Sequence, residues 1–97
     1  MTGYFNNAKF YQTRDIAFKV KADEEFKQDV IEALERFVKN DWGELDSEDI
    51  KANNEAIKYL DRILAAYNTC QGTIWISGEC YYGKSYDTVI VLFPHEY

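Results

Sequence analysis

Acidic side chains are the residues of this chain whose number and spacing could do chemistry. Of its seventeen acids, eleven fall between Asp23 and Asp49 together with only three bases, which gives that segment a local net charge of −8. The other residues carry eight bases and six acids, so that the whole chain reaches −6. Two carboxyl groups can serve as a general acid and a general base, and many carboxylates on one surface attract cationic partners. The segment could therefore support acid/base catalysis or the binding of a basic partner.

Catalysis by a carboxyl pair requires one desolvated group, because only then does its pKa rise toward neutrality. The acids of this segment fall at positions that should face solvent. The sequence also has no glycine-rich phosphate loop and no nucleophile with a histidine and an acid to activate it. Cys70 and Cys80 lack partners at metal-ligand spacing, and His95, the only histidine, is fifteen residues from Cys80. We therefore expect no enzyme activity, no catalytic residue, no cofactor and no metal site.

A strongly acidic surface favours a protein partner with a basic surface. The same charge disfavours direct binding to nucleic acid or to an anionic membrane. We predict that ten acids form the partner-binding surface: Glu24, Glu25, Asp29, Glu32, Glu35, Asp41, Glu44, Asp46, Glu48 and Asp49. The alternative is a non-enzymatic housekeeping interaction module of unknown partner, in which the acidic face is merely solvated. The oligomeric state is left open by the sequence.

These acids do not reach the charge density of DNA. B-DNA presents one charge about every 1.7 Å along its axis. From Glu24 to Glu35 a helix rises roughly 17 Å at about 1.5 Å per residue, and it carries five acids where DNA would carry about ten. We expect the surface to steer toward a basic groove without closely imitating DNA.

One amphipathic helix should position the first half of these acids. Asp23 can serve as its N-cap, and two glutamates follow in the first turn, where the helix dipole favours carboxylates. The spacing predicts a helix over roughly residues 24–39, and Glu32 stands one turn before Arg36, as in a favourable ion pair. Its apolar face comprises Phe26, Val30, Ala33, Leu34, Phe37 and Val38. The acids occupy the opposite face.

A second helix should begin at Asp46 or Ser47, since either residue can cap it. In the loop before it, Trp42 and Leu45 are expected to fold back onto the core. Asn53-Asn54 lies at the centre of this helix, where asparagine is a poor helix former. Such side chains usually bond neighbouring backbone, for instance at a strand end, and the other interpretation is a polar contact within a ligand site.

Strand composition marks three segments in the final third: residues 62–69, 73–77 and 88–93. The last of these is apolar on both sides, which is typical of a central or covered strand. The loop between the second and third carries Tyr81, Tyr82 and Tyr86, which can form an interface patch or cap the edge of the sheet. Near the N-terminus, residues 9–13 have the composition of a short edge strand, whereas residues 14–22 fit a strand or a helix.

Together these patterns predict an α+β fold, with two main helices packed on one face of a small antiparallel sheet. A three-stranded C-terminal meander forms that sheet, and the short N-terminal strand can extend it. The length allows one domain over residues 1–97, with a loosely ordered lead over residues 1–8. Because the sequence shows no signal peptide and no apolar run long enough for a membrane span, we expect a cytoplasmic protein.

Several motifs occur in an order that suggests a family. They are Thr13-Arg14, Asp41-Trp42-Gly43-Glu44, Glu48-Asp49 followed by Asn53-Asn54, Arg62 to Tyr67, Ile74-Trp75-Ile76 and the terminal Val91 to Tyr97. Over roughly residues 11–97 the chain resembles short bacterial proteins described as plasmid-related, which are found on plasmids, phages and other mobile elements. The family has no established enzyme activity, so the resemblance implies a genetic context in a bacterial host. Small acidic proteins of mobile elements include inhibitors of host defence such as anti-CRISPR proteins. This context, rather than any mechanism shared with the family, favours an inhibitor of a defence effector over the housekeeping module.

Overall fold

The computed structural model describes residues 3–97, and Met1 and Thr2 lie outside the described residues. In chain order the elements are β1 (Lys9–Gln12), α1 (Arg14–Ala22), α2 (Glu24–Val38), α3 (Ser47–Ala56), β2 (Ile63–Thr69), β3 (Gly72–Glu79), β4 (Thr88–Leu92) and a short 3-10 turn (Pro94–Glu96). These elements confirm the α+β class.

The four strands form one sheet in the order β1–β4–β3–β2. The predicted meander is confirmed, since β2 pairs with β3 and β3 with β4, both antiparallel. The short N-terminal strand joins this sheet parallel to β4, so that the complete sheet is mixed rather than antiparallel. As a result β4 is a central strand of the sheet, which is one of the two positions that its apolar composition predicts.

The ambiguous segment at residues 14–22 forms a helix, α1. Ile16 and Val20 are one helical turn apart, and Ile16 is fully buried while Val20 packs at the border of the core. The apparent alternation with Phe18 is thus not a strand pattern, because Phe18 projects from the other side of the helix and is 70% exposed. α1 is a third helix beside the two main ones that the sequence predicts.

α2 covers the inner face of the sheet with its apolar side, through Phe26, Val30, Ala33 and Phe37. Facing it are alternate residues of the three C-terminal strands: Ile63, Ala65, Tyr67, Ile74, Ile76, Gly78, Val89 and Val91. The approach is tight at Gly78, where an added Cβ would lie 3.2 Å from the Phe37 ring. Trp75 projects to the other side of the sheet and is only partly buried, as the alternation predicts.

The outer edge of β2 is closed by the segment between α2 and α3. Glu44 N–H donates to the Ala66 carbonyl at 2.7 Å, and Ala66 N–H donates to the Trp42 carbonyl at 3.4 Å. Further along, Asn53 Nδ2 donates to the Leu64 carbonyl at 3.0 Å. These bonds satisfy backbone groups that an edge strand would otherwise leave unpaired.

The predicted bond to neighbouring backbone is thus confirmed for Asn53, whereas Asn54 bonds the side chain of Trp42. Besides the bond from Asn53, Asn54 Oδ1 accepts a hydrogen bond of 2.9 Å from Trp42 Nε1. Trp42 itself is 2% exposed and meets the Phe37 ring edge-on at 5.5 Å. Its predicted return to the core is confirmed.

The N-terminal lead contributes a core side chain. Of the residues predicted to be loosely ordered, Met1 and Thr2 lie outside the described part of the chain. Within the remainder, Phe5 is 4% exposed and packs against Phe37 and Tyr86, with ring centroids 4.9 and 5.1 Å away. The polar neighbours of Phe5 in the sequence give no sign of this burial.

Candidate acidic interface

α2 forms where the sequence predicts it and is capped as predicted. The Asp23 carboxylate accepts hydrogen bonds from the amides of Glu25 and Phe26, at 3.0 and 3.2 Å. Because Phe26 and the other apolar residues of the helix face the sheet, the glutamates are left on its outward side. Glu24, Glu25, Glu32 and Glu35 are all exposed.

Two of the acids are used to attach α2 to the β2–β3 hairpin. Asp29 Oδ2 accepts a hydrogen bond of 2.8 Å from the backbone amide of Cys70, and Asp23 Oδ2 accepts one of 2.6 Å from Gln71 Nε2. The bond from Gln71 is the main reason why the pKa of Asp23 lies below its ordinary value. Asp29, which the sequence assigns to the partner surface, therefore also supports the fold.

Arg36, at the end of α2, pairs with two acidic side chains of the loop that follows. The sequence predicts that it pairs with Glu32, but its guanidinium instead makes two bonds to Asp41, at 2.8 and 3.2 Å, and lies 3.9 Å from Glu44. The chain turns back after α2, and Asp41 N–H donates to the Arg36 carbonyl at 2.9 Å, which brings the two side chains together. The bonds from Arg36 lower the pKa of Asp41.

Tyr67, a residue of β2, contacts both members of the Arg36–Asp41 pair. Its hydroxyl donates a 2.6 Å hydrogen bond to the Asp41 carbonyl, and the Arg36 guanidinium lies 5.3 Å from the centre of its ring. Burial raises the pKa of Tyr67 well above its ordinary value, so that it remains a neutral donor. The Arg36–Asp41 pair is thus held in a fixed position beside the acidic helix.

The acids of α3 are separate from this group. Asp46 caps α3 by accepting a 2.8 Å bond from the amide of Asp49, which confirms one of the two predicted caps. Asp49 lines a cavity of about 270 Å³ with Arg62, Leu64 and Tyr97, among other residues. Glu48 is exposed in the first turn of the helix.

The structure thus divides nine of the ten predicted residues into three sets, and Glu24 belongs to none of them. Glu25 and Asp29 lie beside Cys70, with ligand atoms of the three residues within 4.8 Å of one another. A groove of about 400 Å³ brings together Glu32, Glu35 and Asp41 with two basic side chains. The third set, at α3, comprises Asp46, Glu48 and Asp49. Glu24 accepts a bond from Gln28 at 3.1 Å, and Glu44 joins the second set through Arg36.

Within residues 3–97, two groups of side chains have the composition of metal ligands. In the first, Cys70 stands beside Glu25 and Asp29, but desolvation and then the neighbouring carboxylates raise the pKa of its thiol to about 11. Without a bound cation this thiol is therefore protonated at neutral pH. In the second, Asp15 and His95 bond each other at 2.9 Å, beside Glu96.

Glu96 is committed to the fold. Its carboxylate accepts bonds from Thr13 Oγ1 at 2.6 Å, from Phe93 N–H at 2.9 Å and from Asp15 N–H at 3.3 Å. These bonds join the C-terminal turn to the start of α1. The lone pairs of this carboxylate that a metal would need are largely occupied.

The loop between β3 and β4 carries three tyrosines, of which two have rings exposed to solvent. Asp87 Oδ2 accepts bonds from the amides of Tyr81 and Tyr82, at 2.9 and 3.0 Å, and both side chains are exposed. Tyr86 is fully buried, and its hydroxyl donates to the Asp61 carbonyl at 2.6 Å. Of the two interpretations that the sequence leaves open, an interface patch is thus excluded for Tyr86, whose ring packs in the core against Phe5.

Among residues 3–97, none of the helices has the length and apolar character that a membrane span requires. No family model, no curated protein and no solved structure matches this chain, so the resemblance to plasmid-related proteins stays a prediction.

Proposed function

We propose that this chain is a non-enzymatic inhibitor from a bacterial mobile element. In this proposal its acidic α2 surface docks on a basic, nucleic-acid-binding surface of a host defence effector, as in anti-CRISPR-like systems. The observation that supports the proposal is the exposure and lack of cationic partners of four glutamates on α2: Glu24, Glu25, Glu32 and Glu35. All four are exposed, and within the described residues none has a cationic side chain within 4.0 Å. Their charge is available to a partner.

The sign and density of this charge favour a protein partner. Four acids without a cationic partner among residues 3–97 span roughly 17 Å between Glu24 and Glu35, at about 1.5 Å per residue. Their charge density is well below that of DNA. Such a surface supplies electrostatic steering and orientation more than binding energy. Affinity would then come from apolar contacts near the acids, and Ile31, which is 40% exposed on the same helix, offers one.

The genetic context is the second part of the proposal. It is based on the resemblance to plasmid-related proteins, through motifs such as Asp41-Trp42-Gly43-Glu44 and the terminal Val91 to Tyr97. In this context the effector would be met in the cytoplasm of the bacterial host. A defence effector that binds nucleic acid has a basic surface for the phosphate backbone, and an acidic helix can bind to such a surface.

The test uses phage plating on bacteria that carry a CRISPR or restriction system and express this chain. We expect the wild-type chain to restore plating and Glu25→Lys/Glu32→Lys to lose that effect. The matched control is Glu55→Lys/Asp61→Lys, which changes two exposed acids outside α2 and gives the same net charge of −2. Neither test position bonds another element in the way that Asp29 does, so the double variant should still fold.

The outcomes separate the parts of the proposal. If neither the wild-type chain nor its variants protect phage from any system, the counter-defence role is wrong. If the α2 variant protects as well as the control, the acidic helix is not the contact. A purified effector should also bind the wild-type chain less tightly as salt rises and in competition with its own nucleic acid. Salt-independent binding would contradict steering by charge.

A further inference from the structure

A cavity lies between α3 and Tyr97, on the face of the sheet opposite α2. Leu64 of β2 lines it, and Leu64 alternates along the strand with Ile63 and Ala65, whose side chains face α2. The volume of the cavity is about 270 Å³. Small-molecule sites usually have about 300–1,000 Å³, so this volume suits a single side chain of a partner better than a whole cofactor.

Three aliphatic side chains and one aromatic ring form the apolar part of the cavity: Leu45, Ala52, Leu64 and Tyr97. The ring of Tyr97 is held by Trp75, which meets it edge-on at a centroid distance of 5.4 Å. Such a wall can pack against the methylene groups of a long side chain whose charged end stays in contact with water. It therefore favours a ligand with an aliphatic stem.

The two donor side chains of the lining are engaged within the protein. Arg62 Nε lies 3.7 Å from a carboxylate oxygen of Glu79, and Arg62 Nη1 donates to the Tyr97 hydroxyl. Asn53 Nδ2 donates to the Leu64 carbonyl at 3.0 Å. An anionic ligand would therefore have to compete with Glu79 for Arg62.

The Asp49 carboxylate, by contrast, is an unused acceptor in this cavity. Asp49 is exposed, and among residues 3–97 no side chain donates to its carboxylate and no cationic group lies within 4.0 Å of it. With Glu79, which pairs with Arg62, and Asp46, which bonds the Asp49 amide, the charges here comprise three acids and one base. Because that one base is already paired, the cavity favours a cation.

We propose that this cavity receives an arginine side chain of a partner protein. The methylene stem of the arginine packs against Leu45 and Leu64, and its guanidinium pairs with the Asp49 carboxylate. Arginine suits the cavity better than lysine, since a guanidinium is less strongly hydrated and binds a carboxylate through two parallel hydrogen bonds. Arginine is also one of the residues that contribute most to binding at protein interfaces. This site is independent of the proposed function, since it includes none of the acids of α2.

The test uses three capped amino acids as probes: N-acetylarginine amide, N-acetylcitrulline amide and N-acetyllysine amide. Citrulline has nearly the shape of arginine but no charge. Each probe is titrated into the ¹⁵N-labelled chain at low ionic strength and followed by amide chemical shifts. We expect saturable binding of the arginine probe with a Kd of about 1 mM, and about threefold weaker binding of the other two. The shifts should be centred on Asp49, Leu64 and Tyr97.

One pair of variants tests the charge contact. Asp49→Asn should lower the affinity for the arginine probe to that for the citrulline probe, and it should leave the citrulline probe unchanged. The matched control is Glu48→Gln, which removes the same charge from an adjacent exposed position outside the cavity. It should leave the ratio of the two affinities as in the wild-type chain. The proposal is wrong if citrulline binds as well as arginine, or if Glu48→Gln lowers the ratio as much as Asp49→Asn.

A second pair of variants tests the cavity itself. Ala52→Leu should fill it and weaken all three probes, whereas Lys51→Leu adds the same side chain at an adjacent exposed position outside the cavity and should not. Equal binding by the wild-type chain and Ala52→Leu would overturn the proposal. Shifts centred on the acids of α2 would also contradict it, because they would indicate non-specific attraction to an acidic surface.

Discussion

The carboxylate of Asp29 accepts a 2.8 Å hydrogen bond from the backbone amide of Cys70, forty-one residues further along the chain. This bond joins the outward side of α2 to the turn of the β2–β3 hairpin. It separates Asp29 from neighbours such as Glu32, which have the same charge and are free. Acidic residues on one face of α2 thus have two roles, since Asp29 supports the fold and residues such as Glu32 can meet a partner. An experiment on the partner surface must therefore change only acids that make no bond to another element.

Replacement of Asp29 by Ala should lower the free energy of unfolding by about 1 kcal/mol, because the Cys70 amide loses a charged acceptor near the surface. Glu32→Ala, one turn further along α2, should change it by less than about 0.5 kcal/mol. Urea denaturation followed by circular dichroism measures both. Equal effects of the two changes would show that the bond to Cys70 contributes nothing to stability.

The dependence of stability on pH should report the pair of Arg36 and Asp41. The pKa of Asp41 is lowered from 3.8, mainly by the bonds from Arg36. A carboxylate with a lower pKa in the folded state stabilises the protein above its unfolded pKa, and this contribution is lost as pH falls through the folded value. We therefore expect stability to fall below about pH 4, and Asp41→Asn to make the decline less steep.

Repulsion among the other acids acts in the opposite direction, since protonation relieves it. For this reason the comparison is made between the wild-type chain and Asp41→Asn rather than on one curve. Glu35→Gln removes one charge from the same region without touching the Arg36 pair, and it is the matched control. A control curve that flattens as much as that of Asp41→Asn would contradict the assignment.

Local signals predicted α2, α3 and the four strands but left α1 open. They gave no indication of contacts between residues far apart in the sequence. Asp23 as a cap, Trp42 as an anchor and Asn53 as a ligand of backbone all follow from the preferences of single residue types. The direction of β1 does not, because four residues of strand composition carry no sign of which way they will pair. The burial of Phe5 depends likewise on rings far away in the sequence.

The candidate site was predictable to a similar degree. Helical periodicity placed the acids of α2 on its outward side, as the structure has them. The sequence did not indicate which acids lack a basic partner. Arg36 pairs with Asp41 because the chain reverses direction after α2, and this reversal depends on the three-dimensional fold.

Asn53→Ala should destabilise the protein by about 1–3 kcal/mol, because it leaves the Leu64 carbonyl at the edge of β2 without its donor. Asn53 is 7% exposed, so water has little access to replace the bond. The exposed neighbour Asn54 is the comparison, and its change to Ala should cost a similar amount, because Trp42 is 2% exposed and its Nε1 loses its acceptor. Amide hydrogen exchange should show the larger loss of protection along β2 in Asn53→Ala. Uniform loss in both variants would contradict a specific role at this edge.

Gly43 offers the sharpest test of how the edge of β2 is closed. Its φ is +76°, and an added Cβ would lie 2.0 Å from the Ala66 carbonyl oxygen. Gly83 has a similar φ of +86° but no atom within 4 Å of an added Cβ. Gly83→Ala should therefore cost only the unfavourable backbone conformation, about 1 kcal/mol. Gly43→Ala should cost more than about 3 kcal/mol, since the loop must leave the strand and break its bonds to Ala66. Thermal unfolding of the two variants measures the difference, and a Gly43→Ala protein as stable as Gly83→Ala would refute the close packing of this loop on β2.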